Sequence, residues 1–472
     1  MDRARTPWAE ASPFRVVVLA GDGDAAALAS TLDSLREQRF PRWKALVVDA
    51  PSSVPVPEER IAHASAQDAA AAVLADGSWF GVVAAGARLR PEALAIVAER
   101  RAREPVARMV YGDEIAGDRP LLKPGWSPRL ASALPALGWA VFAEPSLFTP
   151  AALGGILKGG AWLVPSGVAP LALRRILLEG PAPVATPRPQ ASPAVPRQKT
   201  GNATIIVLTR DQPTLLTRLA ASIRAKTAPG SYRLVVVDNG DVGGPAAAVL
   251  LELANLPEVE VLPRAGPFNF SALCNEAAAS SREDVLVFLN DDTEVLSEGW
   301  LERLVSHAFQ PDVGAVGARL TYPDGRLQHV GVLAGMGGSA GHFGAPAPGD
   351  DPGWAGRNTV THEASAVTGA CLAVAREKFE AVGGFDAVHL PIELSDIDLC
   401  FKLNARGWQT LVDPAVHLMH EESFSRGGAT FRRLDKYGDQ RAVFVERWRH
   451  VLRDDPVFHP ALSLYSWRAA LS

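Results

Sequence analysis

The sequence predicts an α/β protein made of two tandem Rossmann-like domains. Short apolar runs alternate with amphipathic helical stretches, as they do in parallel sheets covered by helices. The order of these elements over residues 14–94 returns over residues 204–301, which indicates an internal repeat. Residues 181–201 separate the two copies and contain six prolines without any hydrophobic period, which is typical of a semi-extended linker.

These observations divide the chain into four segments. The predicted segments are a first domain over residues 1–180, a linker over 181–201, a second domain over 202–430 and a C-terminal helical extension over 431–472. The extension contains an amphipathic helix over residues 437–452.

Each copy begins with the same run of elements. In the first copy we expect strands over residues 14–19, 44–49 and 80–84, with helices over 25–38 and 91–103. In the second copy we expect strands over residues 204–208 and 234–238, a helix over 215–226, and a strand followed by a helix over 284–301. Further helices are expected over residues 375–382, where two glycines follow, and from residue 395.

Composition and charge narrow the class of protein. The 472 residues carry a net charge of -5 and no basic tail, so there is no reason to expect a nucleic-acid partner. The three cysteines are far apart, which favours a reducing compartment over a disulfide framework. No signal peptide or membrane-spanning run is visible, so a cytoplasmic protein is expected, and peripheral attachment to the inner membrane stays open.

The strongest local signal is the run from residue 285 to residue 294. Five apolar residues predict a buried strand, which ends on Asn290, Asp291 and Asp292. Carboxylates at the end of such a strand lie where open α/β sheets bind ligands, and they suit a hard divalent cation such as Mg²⁺ or Mn²⁺. The alternative is that Asp291 or Asp292 caps the helix expected around residues 300–305.

The corresponding place in the first copy carries no acid. Ala84, Ala85 and Gly86 stand there, and none of them can hold a cation through its side chain. Any metal chemistry is therefore expected in the second copy.

Four polar sites in the second copy follow apolar strands or begin helices. These sites are Asp238, residues 290–292, Asp396 with Asp398, and residues 417–426. Strand ends of a doubly wound sheet converge on one crevice, so we expect these sites to lie together. Asp396 and Asp398 are two positions apart and cannot face the same point on a helix. One is expected to be a catalytic base and the other a cap or backbone partner, unless both only complement the helix dipole.

Taken together and in order, the motifs of residues 203–430 resemble the inverting nucleotide-sugar glycosyltransferases of family 2, which have the GT-A fold. The similarity is greatest to bacterial enzymes of O-antigen and surface-polysaccharide synthesis, often described as rhamnosyltransferases. It is carried by residues 208–211 (LTRD), 236–239 (VVDN), 268–275 (FNFSALCN), 289–295 (LNDDTEV), 328–331 (QHVG), 365–370 (SAVTGA), 383–386 (GGFD), 395–400 (SDIDLC) and 420–427 (HEESFSRG).

The resemblance implies a donor site for a UDP- or dTDP-sugar. Asp238 would accept hydrogen bonds from the nucleobase, and Thr209 and Asp211 would line the same pocket. The resemblance also assigns to this donor pocket Asn275, Asn290, Asp291 and, beside the leaving diphosphate, Arg426.

The resemblance further implies a divalent cation and a general base. Asp292 and His420 would bind Mn²⁺ or Mg²⁺, while Asn290 replaces the first acid of the family's D-x-D pattern. Asp396 would be the base that deprotonates the acceptor hydroxyl, although Ser395 replaces the Glu that precedes it in the family. The acceptor would be a saccharide or a lipid-linked saccharide.

The first half resembles the same fold and is expected to be a degenerate, noncatalytic copy. A second interpretation of the whole chain also stays open. In that interpretation the protein is a noncatalytic saccharide-binding or scaffold component of a polysaccharide assembly complex.

Overall fold

The computed structural model describes residues 11–21, 24–50, 59–135, 137–162, 164–180, 202–421 and 437–472. The chain divides into two compact units, residues 1–188 and 189–472. The predicted linker over residues 181–201 lies outside the described residues.

The first unit is an α/β domain. Its strands are β1 (Phe14–Leu19), β2 (Trp43–Val48), β3 (Ile61–Ala64), β4 (Trp79–Ala84), β5 (Arg88–Leu89), β6 (Met109–Ala116), β7 (Arg119–Leu121), β8 (Val141–Ala143) and β9 (Leu171–Gly180). Its helices are α1 (Ala25–Arg36), α2 (Ala66–Asp76), α3 (Ala93–Arg103), α4 (Pro128–Ala133) and α5 (Pro150–Leu157).

The second unit has the same architecture with additional elements. Its strands are β10 (Ala203–Thr209), β11 (Tyr232–Asp238), β12 (Val259–Pro263), β13 (Val285–Asn290), β14 (Thr293–Val295), β15 (Val313–Thr321), β16 (Leu327–His329), β17 (Val332–Ala334), β18 (Ala340–His342), β19 (His362–Ala364), β20 (Cys371–Ala375) and β21 (Gln409–His420). Its helices are α6 (Pro213–Lys226), α7 (Ala247–Ala254), α8 (Phe270–Ser280), α9 (Trp300–Ala308), α10 (Arg376–Ala381), α11 (Ser395–Ala405) and α12 (Gly438–Arg453).

The two main sheets have matching strand orders. The first runs β3-β2-β1-β4-β8-β6-β9-β5, and the second runs β12-β11-β10-β13-β20-β15-β21-β14. Each sheet starts with four parallel strands, which then meet an antiparallel neighbour, β8 on β4 and β20 on β13. This repeated order confirms the predicted fold class of two tandem Rossmann-like α/β domains.

The strand registers align the two copies residue by residue. Phe14 pairs with Trp79 in the first sheet, and Ala203 pairs with Val285 in the second. Counting along both pairs sets Ala84 opposite Leu19 and Asn290 opposite Leu208. The segment from Ala84 to Gly86 is therefore the structural counterpart of Asn290 to Asp292, as the sequence repeat predicts.

Burial explains why β13 occupies the centre of the second sheet. Val285 to Leu289 are all buried, with side chains alternating between the two layers that cover the sheet. On one side Trp300 of α9 is fully buried, and on the other Phe288 packs against Phe379 and Phe385. An uninterrupted apolar strand fits only where both faces of the sheet are covered.

The C-terminal helix belongs to the second unit. Phe444 and Trp448 of α12 pack against Phe401 of α11. Beyond the helix, the carboxylate of Asp455 is buried and accepts hydrogen bonds from Ser365 Oγ and the backbone N–H of Ala334. Residues 437–472 are thus packed against the second sheet and its helices, although the sequence predicts them as an extension.

Stability of the second unit should fall in mild acid because His362 is buried without a charge. Burial, with a contribution from Arg357, lowers the pKa of His362 from 6.5 to about 3, although carbonyl oxygens of Val360 and Val330 lie beside its ring. Between these values the unfolded chain binds a proton that the folded chain does not. We expect this residue alone to remove about 1.4 kcal/mol per pH unit as the pH falls through that window.

The measurement is urea unfolding of the full chain between pH 7 and pH 4, compared with His362→Asn, which does not titrate. The transition of the second unit should fall less steeply with decreasing pH in the variant. Identical pH dependence in the two proteins would contradict the assignment.

Candidate functional site

Three predicted site residues lie at the carboxyl ends of adjacent parallel strands. Thr209 ends β10, Asp238 ends β11, and Asn290 ends β13. Thr209 is paired directly with Asp238, and Asn290 with Leu208, so all three lie at the same edge of the sheet. This is the position where open α/β sheets bind ligands.

Asp292 and His420 meet at this edge although 128 positions separate them, because β14 and β21 pair antiparallel with Thr293 opposite His420. Asp292 Oδ1 lies 3.0 Å from His420 Nε2, and Asn290 Nδ2 lies 3.3 Å from the same nitrogen. Both Asp292 and His420 are buried. A carboxylate oxygen beside an imidazole nitrogen is a donor set that Mn²⁺ or Mg²⁺ accepts.

These two residues do not enclose an ion by themselves. Across the described residues, no group of three or more His, Cys, Asp or Glu side chains is arranged to hold a metal ion. A cation on Asp292 and His420 would need its remaining ligands from water or from a bound phosphate.

Asp291 is hydrogen-bonded to the end of β10. Its Oδ2 accepts a hydrogen bond of 2.8 Å from Thr209 Oγ1, and only 8% of the residue is exposed. Burial raises the pKa of Asp291 from 3.8 to about 6, since the Thr209 hydrogen bond offsets the burial only in part. Thr209 and Asp291 therefore connect β10 to the turn that carries Asp292.

Asp211 and Asp238 flank a glycine-rich turn. A Cβ atom on Gly240 would lie 2.8 Å from Asp211 Oδ1 and 3.0 Å from Asp238 Oδ1, so a side chain here would require the two carboxylates to shift. The Gly240 N–H donates to Asp238 Oδ1 at 2.9 Å. Asp211 itself has a φ of 52°, a left-handed conformation that is uncommon for a residue with a side chain.

Asp396 reaches the same edge through the loop before β20. Its Oδ2 accepts a hydrogen bond of 2.7 Å from the Gly369 N–H, and the carbonyl of the next residue, Ala370, accepts one from the Asn290 N–H. Asp396 is half-buried. A short backbone path therefore joins the expected base to the end of β13.

Asp398 has a different role. It is fully buried, and its Oδ1 accepts hydrogen bonds from Arg447 at 2.8 Å and from Trp448 Nε1 at 2.9 Å. Asp396 and Asp398 thus point to different sides of α11, as the two-residue spacing predicts. Asp398 anchors the C-terminal helix, and the alternative in which both acids only complement the helix dipole is not supported.

The segment that leads to Asp396 is held by α8. Asn269 Nδ2 donates to the Ala387 carbonyl, and Ser271 Oγ donates to the Leu390 carbonyl. Asn275 Nδ2 donates to the Phe385 carbonyl and its Oδ1 accepts from the Phe385 N–H. These bonds tie Asn275 to the backbone of the segment that leads to Asp396, and its place in the donor pocket stays a prediction. The N-cap of α8 is Asn269, whose Oδ1 accepts a hydrogen bond from the Ala272 N–H.

The same segment is held from the other side by α12. Gln440 Oε1 accepts hydrogen bonds from the N–H groups of Ile392 and Glu393, and Arg447 bridges Asp386 and Asp398. Between these contacts Leu394 has a φ of 61°, a strained conformation for leucine. The contacts on both sides of Leu394 maintain this conformation two residues before Asp396.

The capping alternative for Asp291 and Asp292 is wrong. β14 lies between them and α9, and the N-cap position of α9 is Gly299, with a φ of 66° and no side-chain cap. Both acids remain at the sheet edge.

At the equivalent edge of the first unit, the turn that follows β4 is hydrogen-bonded to helix α1. The N–H of Gly86, the counterpart of Asp292, lies 3.1 Å from the Ala27 carbonyl and 2.9 Å from Thr31 Oγ1, both on α1. With alanines before it, this turn presents no carboxylate.

Sequence reasoning missed several residues of the site. Gln328 is hydrogen-bonded to the ring of His420, 92 positions away, and no local signal pairs the two. Arg447 and Trp448 lie about 50 positions from Asp398 and carry no local signal that pairs them with it. Arg426, expected beside the leaving diphosphate, lies outside the described residues.

Comparison with known families identifies the region that contains most of these residues. Residues 204–343 match the family model described as Glycosyl transferase family 2. The second unit contains a family 2 glycosyltransferase domain. The fold expected for such a domain, the GT-A type of α/β fold, agrees with the strand order described above.

Relatives of the chain extend beyond this glycosyltransferase domain. A protein of Myxococcus xanthus described as O-antigen biosynthesis protein RfbC is 29% identical over 94% of this chain, and protein y4gI of Sinorhizobium fredii is 41% identical over 57%. The chain spans only 40% and 30% of the lengths of these two relatives. A Mycobacterium tuberculosis N-acetylglucosaminyl-diphospho-decaprenol L-rhamnosyltransferase is 25% identical over 50% of this chain and 83% of its own length.

Two solved glycosyltransferase structures align more distantly. One is a mannosyltransferase from Pyrobaculum calidifontis in complex with GDP-Man and Mn²⁺, with 18% identity, a TM-score of 0.41 and coverage of 58% of this chain and 70% of that one. The other is GalNAc-T7 with UDP, GalNAc and Mn²⁺, with 15% identity, a TM-score of 0.42 and coverage of 54% and 50%. Within the described ranges, no helix is long and apolar enough to cross a membrane.

The different contacts of Asp396 and Asp398 predict different effects of the same substitution. Asp398→Asn removes a buried charge that pairs with Arg447, and should destabilise the second unit by about 2 kcal/mol. The expected loss is below that of a fully buried ion pair because Arg447 stays partly exposed and keeps Asp386 as a partner. Asp396→Asn should cost less than about 1 kcal/mol because its amide oxygen can still accept from Gly369. Chemical unfolding of both variants tests this, and equal losses would contradict the division of roles.

Proposed function

We propose that the glycosyltransferase domain moves a sugar from a UDP- or dTDP-sugar to a hydroxyl of a saccharide or lipid-linked acceptor, with inversion at the anomeric carbon. The observation that carries the proposal is the meeting of Asp238, the Asp292–His420 pair and Asp396 at one edge of the second sheet. Asp238 would recognise the base, the Asp292–His420 pair would hold the cation, and Asp396 would be the general base.

The donor nucleotide would lie across the ends of β10 and β11. Asp238 and Asp211 present carboxylate oxygens on both sides of Gly240, and carboxylates accept hydrogen bonds from the N–H groups of a uracil or thymine base and from ribose hydroxyls. The absence of a Cβ at Gly240 lets a flat ring approach the backbone there. Asn290 would face the ribose or the diphosphate.

Asp292 and His420 would hold the divalent cation, because they bring an oxygen and a nitrogen donor to within 3.0 Å of each other. A bound Mn²⁺ or Mg²⁺ would neutralise charge on the leaving diphosphate. The low exposure of both residues strengthens any electrostatic interaction that they make.

Asp396 would act as the general base. It is half-buried, its Oδ2 is oriented by the Gly369 N–H, and its helix is fixed by Asp398. A positioned carboxylate can take the proton of the acceptor hydroxyl as the oxygen attacks the anomeric carbon, while the bond to the diphosphate breaks on the opposite side. One displacement of this kind inverts the configuration.

The acceptor class rests on the relatives. One of them is named for O-antigen biosynthesis and another for transfer of L-rhamnose to a diphospho-decaprenol-linked sugar. We therefore propose a role in surface-polysaccharide synthesis with a deoxyhexosyl or hexosyl donor, on the cytoplasmic side of the membrane that carries the acceptor.

The first unit would be a noncatalytic copy. The turn from Ala84 to Gly86 offers no acid, and its Gly86 N–H is already bonded to α1. A saccharide-binding or scaffold role is proposed for this unit rather than for the whole chain.

Asp396→Asn should lower kcat by about 10²- to 10⁴-fold while the affinity for the donor nucleotide stays within about twofold, because only the proton acceptor is lost. Product formation from radiolabelled UDP- and dTDP-sugars measures the rate, and calorimetry with UDP or dTDP measures the affinity. Normal turnover in this variant would show that the base lies elsewhere.

Asp292→Ala should remove the dependence of nucleotide binding on Mn²⁺, because one of the two protein ligands of the cation is lost. The matched control is Ala85→Ser, at the equivalent turn of the first unit, which should leave binding unchanged. If Mn²⁺-dependent binding survives Asp292→Ala but is lost in Ala85→Ser, the nucleotide site lies in the first unit and the proposal is wrong.

A further inference from the structure

Gln328 contacts His420 twice. Its Oε1 lies 2.5 Å from His420 Nδ1, and its Nε2 donates to the His420 carbonyl at 3.2 Å. The contact with the His420 carbonyl fixes the orientation of the Gln328 amide. In the reverse orientation, Oε1 of Gln328 would lie against the carbonyl oxygen of His420. Gln328 is 3% exposed, on β16 beside the core of the unit.

This orientation determines where the imidazole carries its proton. An amide oxygen can only accept, so Nδ1 of His420 must be the donor. In the neutral ring the other nitrogen, Nε2, then carries a lone pair. That lone pair faces Asp292 Oδ1 at 3.0 Å, and the carboxylate oxygen is also an acceptor.

Two acceptors at this distance repel each other unless a positive charge or a donor lies between them. The Asn290 amide is a neighbour at 3.3 Å from Nε2, but it is a neutral donor and lies at a longer distance. A cation shared by the oxygen and the nitrogen would remove the repulsion. The opposite tautomer would remove it too, by donating Nε2–H to Asp292, but that proton would then block the nitrogen as a ligand.

We propose that Gln328 is the positioning residue that keeps His420 in the Nδ1–H tautomer and so keeps Nε2 open as a ligand. This inference rests on the proposed cation site, and it assigns to Gln328 a role that acts through His420 rather than on the substrate. Partners of this kind, which orient a metal-binding histidine, typically change metal affinity by about 10- to 100-fold when they are removed.

The first test is made without any metal. In protein labelled with ¹⁵N-histidine at pH 8, the ring nitrogen signals of His420, identified by their loss in His420→Ala, report the tautomer. We expect Nδ1–H in the natural protein and a shift toward Nε2–H in Gln328→Leu. Nε2–H in the natural protein would overturn the proposal, whether or not the domain is a transferase.

The second test measures the affinity for Mn²⁺ alone, from the electron paramagnetic resonance signal of the free ion. Gln328→Leu should weaken binding by about 10- to 100-fold. Gln328→Glu keeps an acceptor for Nδ1–H but sets an oxygen against the His420 carbonyl, so it should recover only part of that loss. In a His420→Ala background, Gln328→Leu should add no further loss. An equal loss in both backgrounds would overturn the proposal, because Gln328 would then act only through the fold.

The control separates this inference from the proposed function. If His420→Ala alone binds Mn²⁺ as tightly as the natural protein, the cation assignment of the proposed function is wrong. The role of Gln328 in metal binding then falls with it, even if the tautomer is the one expected.

Discussion

The register of three adjacent parallel strands is the constraint on which the candidate site depends. Because β11, β10 and β13 are hydrogen-bonded in parallel, Asp238, Thr209 and Asn290 end at one level of one sheet edge. A shift of one residue would turn every side chain of a strand to the opposite face. The apolar residues of β13, buried on both faces, oppose such a shift. Burial of the apolar residues of β13 therefore fixes the register that places the polar residues at the strand ends.

The expected base is positioned by the surrounding helices rather than by the sheet alone. Helix α8 holds the backbone of residues 385–390, and α12 holds residues 392–393 and Asp398. Leu394, in a left-handed conformation, lies between these two sets of contacts. Strain of this kind persists only where neighbouring contacts maintain it. The C-terminal helix is accordingly part of the structure that orients Asp396, although it is more than 40 positions away in the chain.

Hydrophobic periodicity and residue spacing in the sequence predicted the fold and part of the candidate site, but not the contacts between distant residues. Alternating apolar runs and the repeat predicted both α/β units, and the comparison of residues 84–86 with 290–292 holds in the strand registers. The spacing of Asp396 and Asp398 predicted that their roles would differ. Pairings across the chain, such as Gln328 with His420 or Arg447 with Asp398, depend on the order of strands and on helix packing. The hydrogen bonds of Asn275 with the backbone of Phe385, 110 positions away, also have no local signal in the sequence.

The measurement that tests the account most directly is the number of nucleotide sites per chain, determined by calorimetric titration of the full protein with UDP and with dTDP in the presence and absence of Mn²⁺. We expect one site per chain, dependent on Mn²⁺, because the first unit has Ala84, Ala85 and Gly86 where the second unit has Asn290, Asp291 and Asp292. Two sites per chain would contradict the noncatalytic assignment of the first unit, and no site with either nucleotide would contradict the proposed donor.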